Sequence, residues 1–168
     1  MSDIKQAQAA YQDFTRLFES IILSTADEKG QPNASYAPFV EYDSKIFYIF
    51  VSDLSTHTRN LSTVGKGSIM FIEDESKSQQ IFARRRLTFD CIAKLITRET
   101  EEWNQLADLF EKRFGELIGI FRNLADFRIF KLTPTEGKFV VGFGAAYKIG
   151  GDDLNNLTQI KGGGHGNK

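Results

Sequence analysis

The chain of 168 residues contains one cysteine and two histidines, and this scarcity limits the chemistry it can support. A lone Cys91 excludes a disulfide framework and is typical of a reducing compartment. Because Cys91 falls on the apolar side of a strand pattern, we interpret it as a core residue and not as a nucleophile. Any chemistry that requires imidazole must therefore use His57 or His165.

Long hydrophobic runs and an excess of one charge are also missing. Without a run of 18 apolar residues the chain is not expected to cross a membrane. A formal net charge of −1 and a pI near 6.1 argue against broad nucleic-acid binding. The first residues show no charged segment leading into an apolar one, so we expect no secretory signal and a cytoplasmic location.

Several common catalytic signatures are absent: phosphate-binding glycine loops, a zinc-protease helix motif, a CxxC pair and a serine-hydrolase elbow. Clustered carboxylates occur at 73–75 and at 152–153, both in polar stretches with loop character. We interpret these carboxylates as solvated charges or helix caps.

Aromatic residues are abundant, with 15 Phe and 5 Tyr, and they fall into helix and strand patterns. Helical spacing predicts one helix near the N-terminus and another that begins around Glu99 and ends before Gly115. The alternating segments give about seven strands without a βαβ rhythm, which predicts a mainly β protein: a small antiparallel barrel with flanking helices. The predicted strands are Ile21–Ala26, Asn33–Glu41, Lys45–Val51, Ser68–Glu73, Arg84–Ile96, Asp126–Leu132 and Lys138–Tyr147, with a turn at Thr133–Gly137 joining the last two.

We expect one domain over residues 1–149 and a glycine-rich C-terminal tail over 150–168. The strand Lys45–Val51 is apolar on both faces, whereas a strand of an antiparallel sheet usually has one face in water. Its outer face should therefore meet a helix or a second subunit, and a homodimer is the simplest arrangement.

Each histidine has two interpretations. His57 follows Ser55 at the start of a short helix, where it is either a surface or capping residue or a contact for a phosphate or carboxylate. His165 lies among glycines, where it is either part of a disordered end or a metal ligand on a flexible arm.

Arg84, Arg85 and Arg86 form the one dense basic cluster. Such runs are usually solvated. Arg86, however, begins a regular strand on its polar face and could bind an anionic ligand group by paired hydrogen bonds.

Four blocks of sequence together resemble the HutZ/HugZ haem-utilisation proteins, which belong to the pyridoxamine-phosphate-oxidase-like, FMN-binding split-barrel superfamily. The resemblance extends from about Phe14 to the tail. Its most specific parts are Ala83–Asp90 and Gly137–Asp153. The blocks are Ser35–Phe39, His57–Leu61, Phe82–Asp90 and Gly142–Tyr147.

The resemblance implies a split-barrel homodimer that binds haem at its interface, with His165 as the axial iron ligand. It also implies that the Asp126 carboxylate supports this histidine and that Arg86 lies near the haem. Ser20 and His57 are further candidates for cofactor contacts. The implied activity is oxygen-dependent haem degradation that releases iron, with electrons from an unidentified donor. A non-catalytic haem carrier or storage protein is the alternative.

The wider superfamily implies FMN as a competing cofactor, which would make the chain an FMN-dependent oxidoreductase. Flavin-binding members carry an arginine and a lysine on the second barrel strand, and these positions correspond to Ser35 and Val40. Basic residues near the loop after the third strand correspond to Thr56 and His57. Because none of these residues supplies the charge that a flavin phosphate needs, FMN ranks second.

Overall fold

The computed structural model describes residues 2–161, so His165 lies outside the described residues. Within this range no helix is both long and apolar enough to cross a membrane. The helices are α1 Ser2–Phe14, α2 Thr56–Val64, α3 Glu101–Phe114 and α4 Leu117–Asn123, and the strands are β1 Ser20–Ala26, β2 Pro32–Tyr42, β3 Ile46–Ser52, β4 Lys66–Ile72, β5 Arg86–Ile96, β6 Phe127–Gly142, β7 Ala145–Gly150 and β8 Asn156–Gln159.

The strands form one sheet in the order β3-β2-β1-β4-β5-β6-β7-β8, and an additional pairing of β3 with β6 closes a ring of six strands. The pairings β1–β2, β2–β3, β3–β6, β6–β7 and β7–β8 are antiparallel. This arrangement confirms the prediction of a mainly β, split antiparallel barrel with flanking helices.

Helix α3 corresponds to the predicted helix that begins around Glu99 and ends before Gly115. The Thr100 hydroxyl accepts a hydrogen bond from the backbone N–H of Trp103 at 3.2 Å, which caps the start of α3. Acidic residues occupy the first turn and basic residues the last, in agreement with the helix dipole. Gly115 ends the helix with a φ of 85°.

The chain divides into two compact units, which we describe separately. Among the described residues, the terminal unit comprises 2–18, 70–89 and 135–161, and the central unit comprises Glu19–Ile69 and Asp90–Pro134.

The core of the terminal unit is aromatic. The Phe139 ring lies 5.7 Å from that of Tyr11 and 5.1 Å from that of Phe14, so α1 packs on the inner face of β6. The Tyr11 hydroxyl donates to the carbonyl of Leu154 at 2.7 Å. This bond ties α1 to the segment after β7.

The core of the central unit lies on the second apolar face of β3. The Phe50 ring lies 5.9 Å from Trp103 and 5.7 Å from Phe110, both on α3. It also lies 6.2 Å from Phe121 on α4. The outer face of β3, which was expected to meet either a helix or a second subunit, is therefore covered by helices of the same chain. The burial of β3 on both faces is not evidence for a dimer.

Strand β6 corrects one prediction. The expected turn at Thr133–Gly137 is wrong, because β6 runs without interruption from Phe127 to Gly142. The strand changes partners along its length, pairing with β3 through Leu132 and with β7 from Gly137 onward. The turn that follows lies at Phe143–Gly144, where Gly144 has a φ of 69°.

The glycine- and asparagine-rich segment after residue 149 begins inside the sheet. Strand β8 pairs with β7, with Leu157 opposite Ile149, and the Ile160 N–H donates to the carbonyl of Ala146 at 2.8 Å. Its composition did not predict a strand. The boundary between a barrel domain and a tail at 149/150 stays a prediction.

Candidate functional site

The arginine cluster in the terminal unit is organised by one buried carboxylate. The Glu73 carboxylate accepts from the Arg85 backbone N–H and from Arg85 Nε, each at 2.9 Å. The Glu73 carbonyl accepts from Arg84 Nε at 3.1 Å, and Arg84 Nη1 pairs with Glu75 at 3.1 Å. Burial raises the pKa of the Glu73 carboxyl, but the hydrogen bonds from Arg85 outweigh it and hold this pKa below its usual value.

Arg86 is the arginine of the cluster that no carboxylate neutralises. Its Nη1 donates to the carbonyl of Arg84 at 3.0 Å, and no described carboxylate forms an ion pair with it. The alternation of β5 buries Leu87 and Phe89 and leaves Arg86 half-buried on the opposite face. Arg86 can therefore bind an external anionic group, whereas Arg84 and Arg85 are already paired.

The expectation that the 73–75 carboxylates are solvated is wrong for Glu73, which is buried. It is right for Asp74, which is exposed and caps the one-turn helix that follows by accepting from the Ser76 N–H at 2.8 Å. The charge pattern could not separate the two residues, because the partner of Glu73, Arg85, lies twelve positions along the chain, just before β5.

His57 lies in the central unit, near the start of α2, and is buried. Its Nδ1 lies 2.9 Å from Ser35 Oγ, and the Ser35 hydroxyl donates to the carbonyl of Leu23 at 3.0 Å. A carbonyl can only accept, so the single hydroxyl hydrogen of Ser35 is in the hydrogen bond to Leu23. His57 Nδ1 must therefore be the donor in its hydrogen bond with Ser35. The proton of the neutral ring is then on Nδ1, and Nε2 carries a lone pair.

His57 Nε2 is buried and has no hydrogen-bond partner among the described residues. Burial also lowers the pKa of the imidazole below its ordinary value, which favours the neutral ring. A neutral ring with a lone pair on Nε2 does not supply a charge for an anion. The structure therefore favours a hydrogen-bond acceptor over the phosphate contact that the sequence left open.

A cavity of about 490 Å³ surrounds His57. Its lining is uncharged and mixes hydroxyls with aromatic rings: Asn33, Ser35, Tyr36, Ala37, Pro38, Phe50, Val51, Ser52, Ser55, Thr56, His57 and Phe127.

This cavity does not fit a flavin phosphate. Ser35, Thr56 and His57 do meet in it, as the superfamily register predicts, whereas Val40 is buried in the core beside α3. No lysine or arginine lines the cavity. The exposed Arg59 side chain donates a hydrogen bond to the Thr56 hydroxyl at 3.3 Å. A phosphate here would lack the charge-assisted hydrogen bonds that such a group requires.

Asp126 lies just before β6 in the central unit and is half-buried. Its Oδ2 accepts from the Ser52 hydroxyl at 2.7 Å, and its carbonyl accepts from the Asp53 N–H at 2.8 Å. Arg128, two residues on, is held by the Asp53 carboxylate through bonds of 3.0 and 2.8 Å. Asp126 Oδ1 therefore accepts no hydrogen bond from a described residue.

Ser52 connects Asp126 with the His57 cavity. It lines that cavity, and its carbonyl accepts from the Thr58 hydroxyl at 2.6 Å. Ser20 is exposed at the start of β1, opposite Pro38, which also lines the cavity. The structure thus places Ser20, His57 and Asp126 around one region of the central unit, while Arg86 belongs to the terminal unit.

Cys91 is buried, and burial raises the pKa of its thiol to about 12. A thiol with this pKa is protonated at neutral pH and is a poor nucleophile. The interpretation of Cys91 as a core residue is consistent with this.

Comparison with known proteins gives one family. The pyridoxamine 5'-phosphate oxidase family matches residues 7–141. The protein named heme oxygenase HutZ, from Vibrio cholerae serotype O1, is 42% identical over 149 residues, which are 89% of this chain and 84% of that protein.

Two solved structures are similar over most of the chain. The crystal structure of Vibrio cholerae HutZ, described as a heme storage protein, has a TM-score of 0.71 at 37% identity and covers 90% of this chain and 96% of that one. Campylobacter jejuni ChuZ has a TM-score of 0.83 at 33% identity and covers 100% of this chain and 66% of that one.

Proposed function

The chain belongs to the pyridoxamine 5'-phosphate oxidase family and, within it, to the HutZ-type haem-utilisation proteins, and on this premise we propose that it binds haem and degrades it with O₂ to release iron. The observation that carries the proposal is the 42% identity to a heme oxygenase over 89% of the chain. The cavity lining argues against FMN as the resident cofactor.

In this proposal His165 is the axial ligand of the haem iron. Neutral imidazole binds iron well, and a carboxylate on its second nitrogen fixes the tautomer and raises its basicity. Asp126 has the chemistry for that second role, because one of its oxygens is occupied by Ser52 and the other accepts nothing from the described residues.

In this proposal Arg86 is the residue that interacts with the anionic groups of haem. Its guanidinium is half-buried and has no carboxylate partner among the described residues, so it can neutralise a haem propionate or order water near the iron. Ser20 and His57 contribute polar contacts around the central unit. His57 does so as an acceptor through Nε2.

A haem carrier or storage protein is the second candidate, because the solved HutZ is described as a heme storage protein. Carrier and enzyme would share the ligand and the pocket and differ in turnover. The enzyme also needs an external electron donor, since two histidines and one buried cysteine provide no redox group of its own.

We also propose a cytoplasmic homodimer. Ile22 and Tyr36 are directly opposite one another on β1 and β2 and are 37% and 68% exposed. Ile92 on β5 is exposed as well. Apolar side chains on one outer face of a sheet are typical of an interface, and a second copy is the simplest partner.

The test adds haem to the purified protein and follows its absorption spectrum. A Soret band that changes in His165→Ala and not in His57→Ala supports the proposed ligand. Loss of the band under O₂ with ascorbate supports degradation, and a stable band supports the carrier. A flavin spectrum in the purified protein that is indifferent to His165→Ala would contradict both haem functions.

A further inference from the structure

Two aspartates and one arginine of the central unit meet where β3 ends and β6 begins. Asp53 directly follows β3, Asp126 directly precedes β6, and Arg128 is the second residue of β6. Ser52 and Phe127 are opposite one another in the ladder between the two strands. Just beyond them, the Asp53 N–H donates to the Asp126 carbonyl at 2.8 Å, so the two aspartates are neighbours. We call Asp53, Arg128 and Asp126 the aspartate cluster.

The two carboxylates of the aspartate cluster have unequal partners. The Arg128 guanidinium binds Asp53 with two nitrogens, from Nε to Oδ1 at 3.0 Å and from Nη2 to Oδ2 at 2.8 Å. Asp126 accepts only from the neutral Ser52 hydroxyl, through Oδ2, among the side chains that the structure describes. The charge of Asp53 is therefore neutralised by an arginine, and the charge of Asp126 is not.

Arg128 lies close enough to pair with either aspartate. Asp126 is only two residues from it, and two extended residues span at most about 7 Å, which a long arginine side chain can bridge. The hydrogen bonds with Asp53 raise the pKa of Arg128, and the charge of Asp126 raises it further. Without Asp53, Asp126 would be the carboxylate that remains beside this arginine.

A guanidinium on Asp126 would change what that carboxylate can do. Arginine binds a carboxylate through paired N–H groups, which would neutralise Asp126 and occupy Oδ1. A carboxylate raises the basicity of a metal-bound imidazole by accepting its second N–H. Asp126 can do this only while Arg128 is bound elsewhere.

We propose that Asp53 is a positioning residue, which holds Arg128 away from Asp126 and so keeps the Asp126 carboxylate available to the iron ligand. This inference rests on the proposed haem function, in which Asp126 supports that ligand. It makes the two members of the ion pair unequal. Loss of Asp53 releases an arginine that blocks Asp126, whereas loss of Arg128 leaves Asp126 open.

Melting temperatures of the haem-free protein test whether Arg128 changes partner. In the wild type, Asp126→Asn should have little effect, because the amide oxygen still accepts from Ser52. In the Asp53→Ala background Arg128 pairs with Asp126, so Asp126→Asn should lower the melting temperature by about 2 °C, the contribution of an exposed ion pair. The Arg128 and Asp53 side chains are 37% and 40% exposed, so these variants leave no deeply buried charge unpaired.

The control for this measurement is Arg128→Gln. In the Asp53→Ala/Arg128→Gln background no arginine remains to pair with Asp126, and Asp126→Asn should again have little effect. If Asp126→Asn is equally silent in Asp53→Ala, Arg128 does not move to Asp126 and the inference is wrong.

The reduction potential of bound haem tests the consequence for the ligand. Asp53→Ala should raise this potential, as Asp126→Asn does, because a less basic imidazole stabilises ferric iron less. Haem turnover should fall about tenfold. Arg128→Gln should match the wild type in both measurements, and Asp53→Ala/Arg128→Gln should recover wild-type values. Asp53→Asn, whose amide oxygen can still accept from Arg128, is the conservative variant and should keep the wild-type potential.

The other results show which claim fails. If Arg128→Gln changes potential and turnover as much as Asp53→Ala does, and the double variant does not recover, the ion pair is only structural and the inference is overturned. If Asp126→Asn changes neither quantity, Asp126 has no role to protect and the inference fails with that role. If the wild type binds no haem, the proposed function itself is wrong, which is read before any variant is compared.

Discussion

At the scale of single residues, His57 shows how one hydrogen bond determines the properties of a ring. The Ser35 hydroxyl donates its hydrogen bond to the Leu23 carbonyl, so His57 Nδ1 must be the donor in its hydrogen bond with Ser35. Protonation of Nε2 would then place a charge in a buried, uncharged cavity without a described partner. The neutral state is therefore favoured in the folded protein, in agreement with the lowered pKa.

This linkage predicts that His57 makes stability depend on pH. The unfolded histidine binds a proton below its ordinary pKa of about 6.5, while the folded one stays neutral to lower pH. The free energy of unfolding should fall as pH drops below that value, by up to about 1.4 kcal/mol per pH unit, until the folded ring titrates. Urea unfolding of the wild type and of His57→Asn, which does not titrate, measures this. Equal slopes in both proteins below pH 6.5 would contradict the assignment.

Asp126→Asn separates a role in function from a role in folding. The asparagine amide oxygen can still accept from the Ser52 hydroxyl, so we expect little change in melting temperature. A neutral amide supports an imidazole ligand less well than a carboxylate does, and haem turnover should fall about 10–100-fold. Asp53→Asn is the control, because it removes the charge and one of the two oxygens that accept from Arg128, and it should lower stability instead. A melting temperature that falls while turnover is intact would refute the role of Asp126.

The sequence could single out Arg86 and His57 but not their partners. Strand alternation places Arg86 on the polar face of β5, and the structure agrees. That Arg86 and not Arg85 is left without a carboxylate partner depends on Glu73, and the state of His57 depends on Ser35. Glu73 directly follows β4 and Ser35 lies on β2, so both partners are distant in sequence and no local pattern identifies them.

At the scale of the elements, Gly137 explains why β6 does not turn where its sequence suggests. A Cβ at this position would lie 2.6 Å from Phe89 Cδ1 and 2.8 Å from the Thr88 carbonyl oxygen. The glycine is thus required by the close approach of β5 and not by a turn conformation. Turn composition around Pro134 was misleading because the same residues also suit a strand that changes partners.

Gly137→Ala should therefore destabilise the protein by about 1–3 kcal/mol, because the Phe89 ring and the backbone of β5 must both move. Gly142→Ala lies on the same strand, where a Cβ meets no atom within 4 Å, and should change stability by less than about 0.5 kcal/mol. Thermal unfolding of both variants makes the comparison. A Gly137→Ala protein as stable as Gly142→Ala would mean that β5 and β6 are farther apart than described.

Most of the other elements follow from local patterns, and the exceptions have a common cause. Strand β3 was identified by its apolar residues and α3 by its cap and periodicity. Helix α4 and strand β8 are only seven and four residues long, too short for periodicity to show. They are stabilised by neighbours, as when β8 pairs with β7.

At the scale of the whole molecule, the exposed outer face of the central unit predicts a dimer that substitution can dissociate. Ile22 and Tyr36 form a cross-strand pair on that face, so a charge at either position would be buried without a partner in the dimer. We expect the wild type to have the mass of a dimer in sedimentation equilibrium and Ile22→Glu and Tyr36→Glu to have that of a monomer. Leu117→Glu, at an exposed apolar position on α4, is the control and should stay dimeric. Because both target positions are already open to water in the single chain, monomeric variants should keep their fold. If the wild type and all three variants were dimers, the interface would lie on another face.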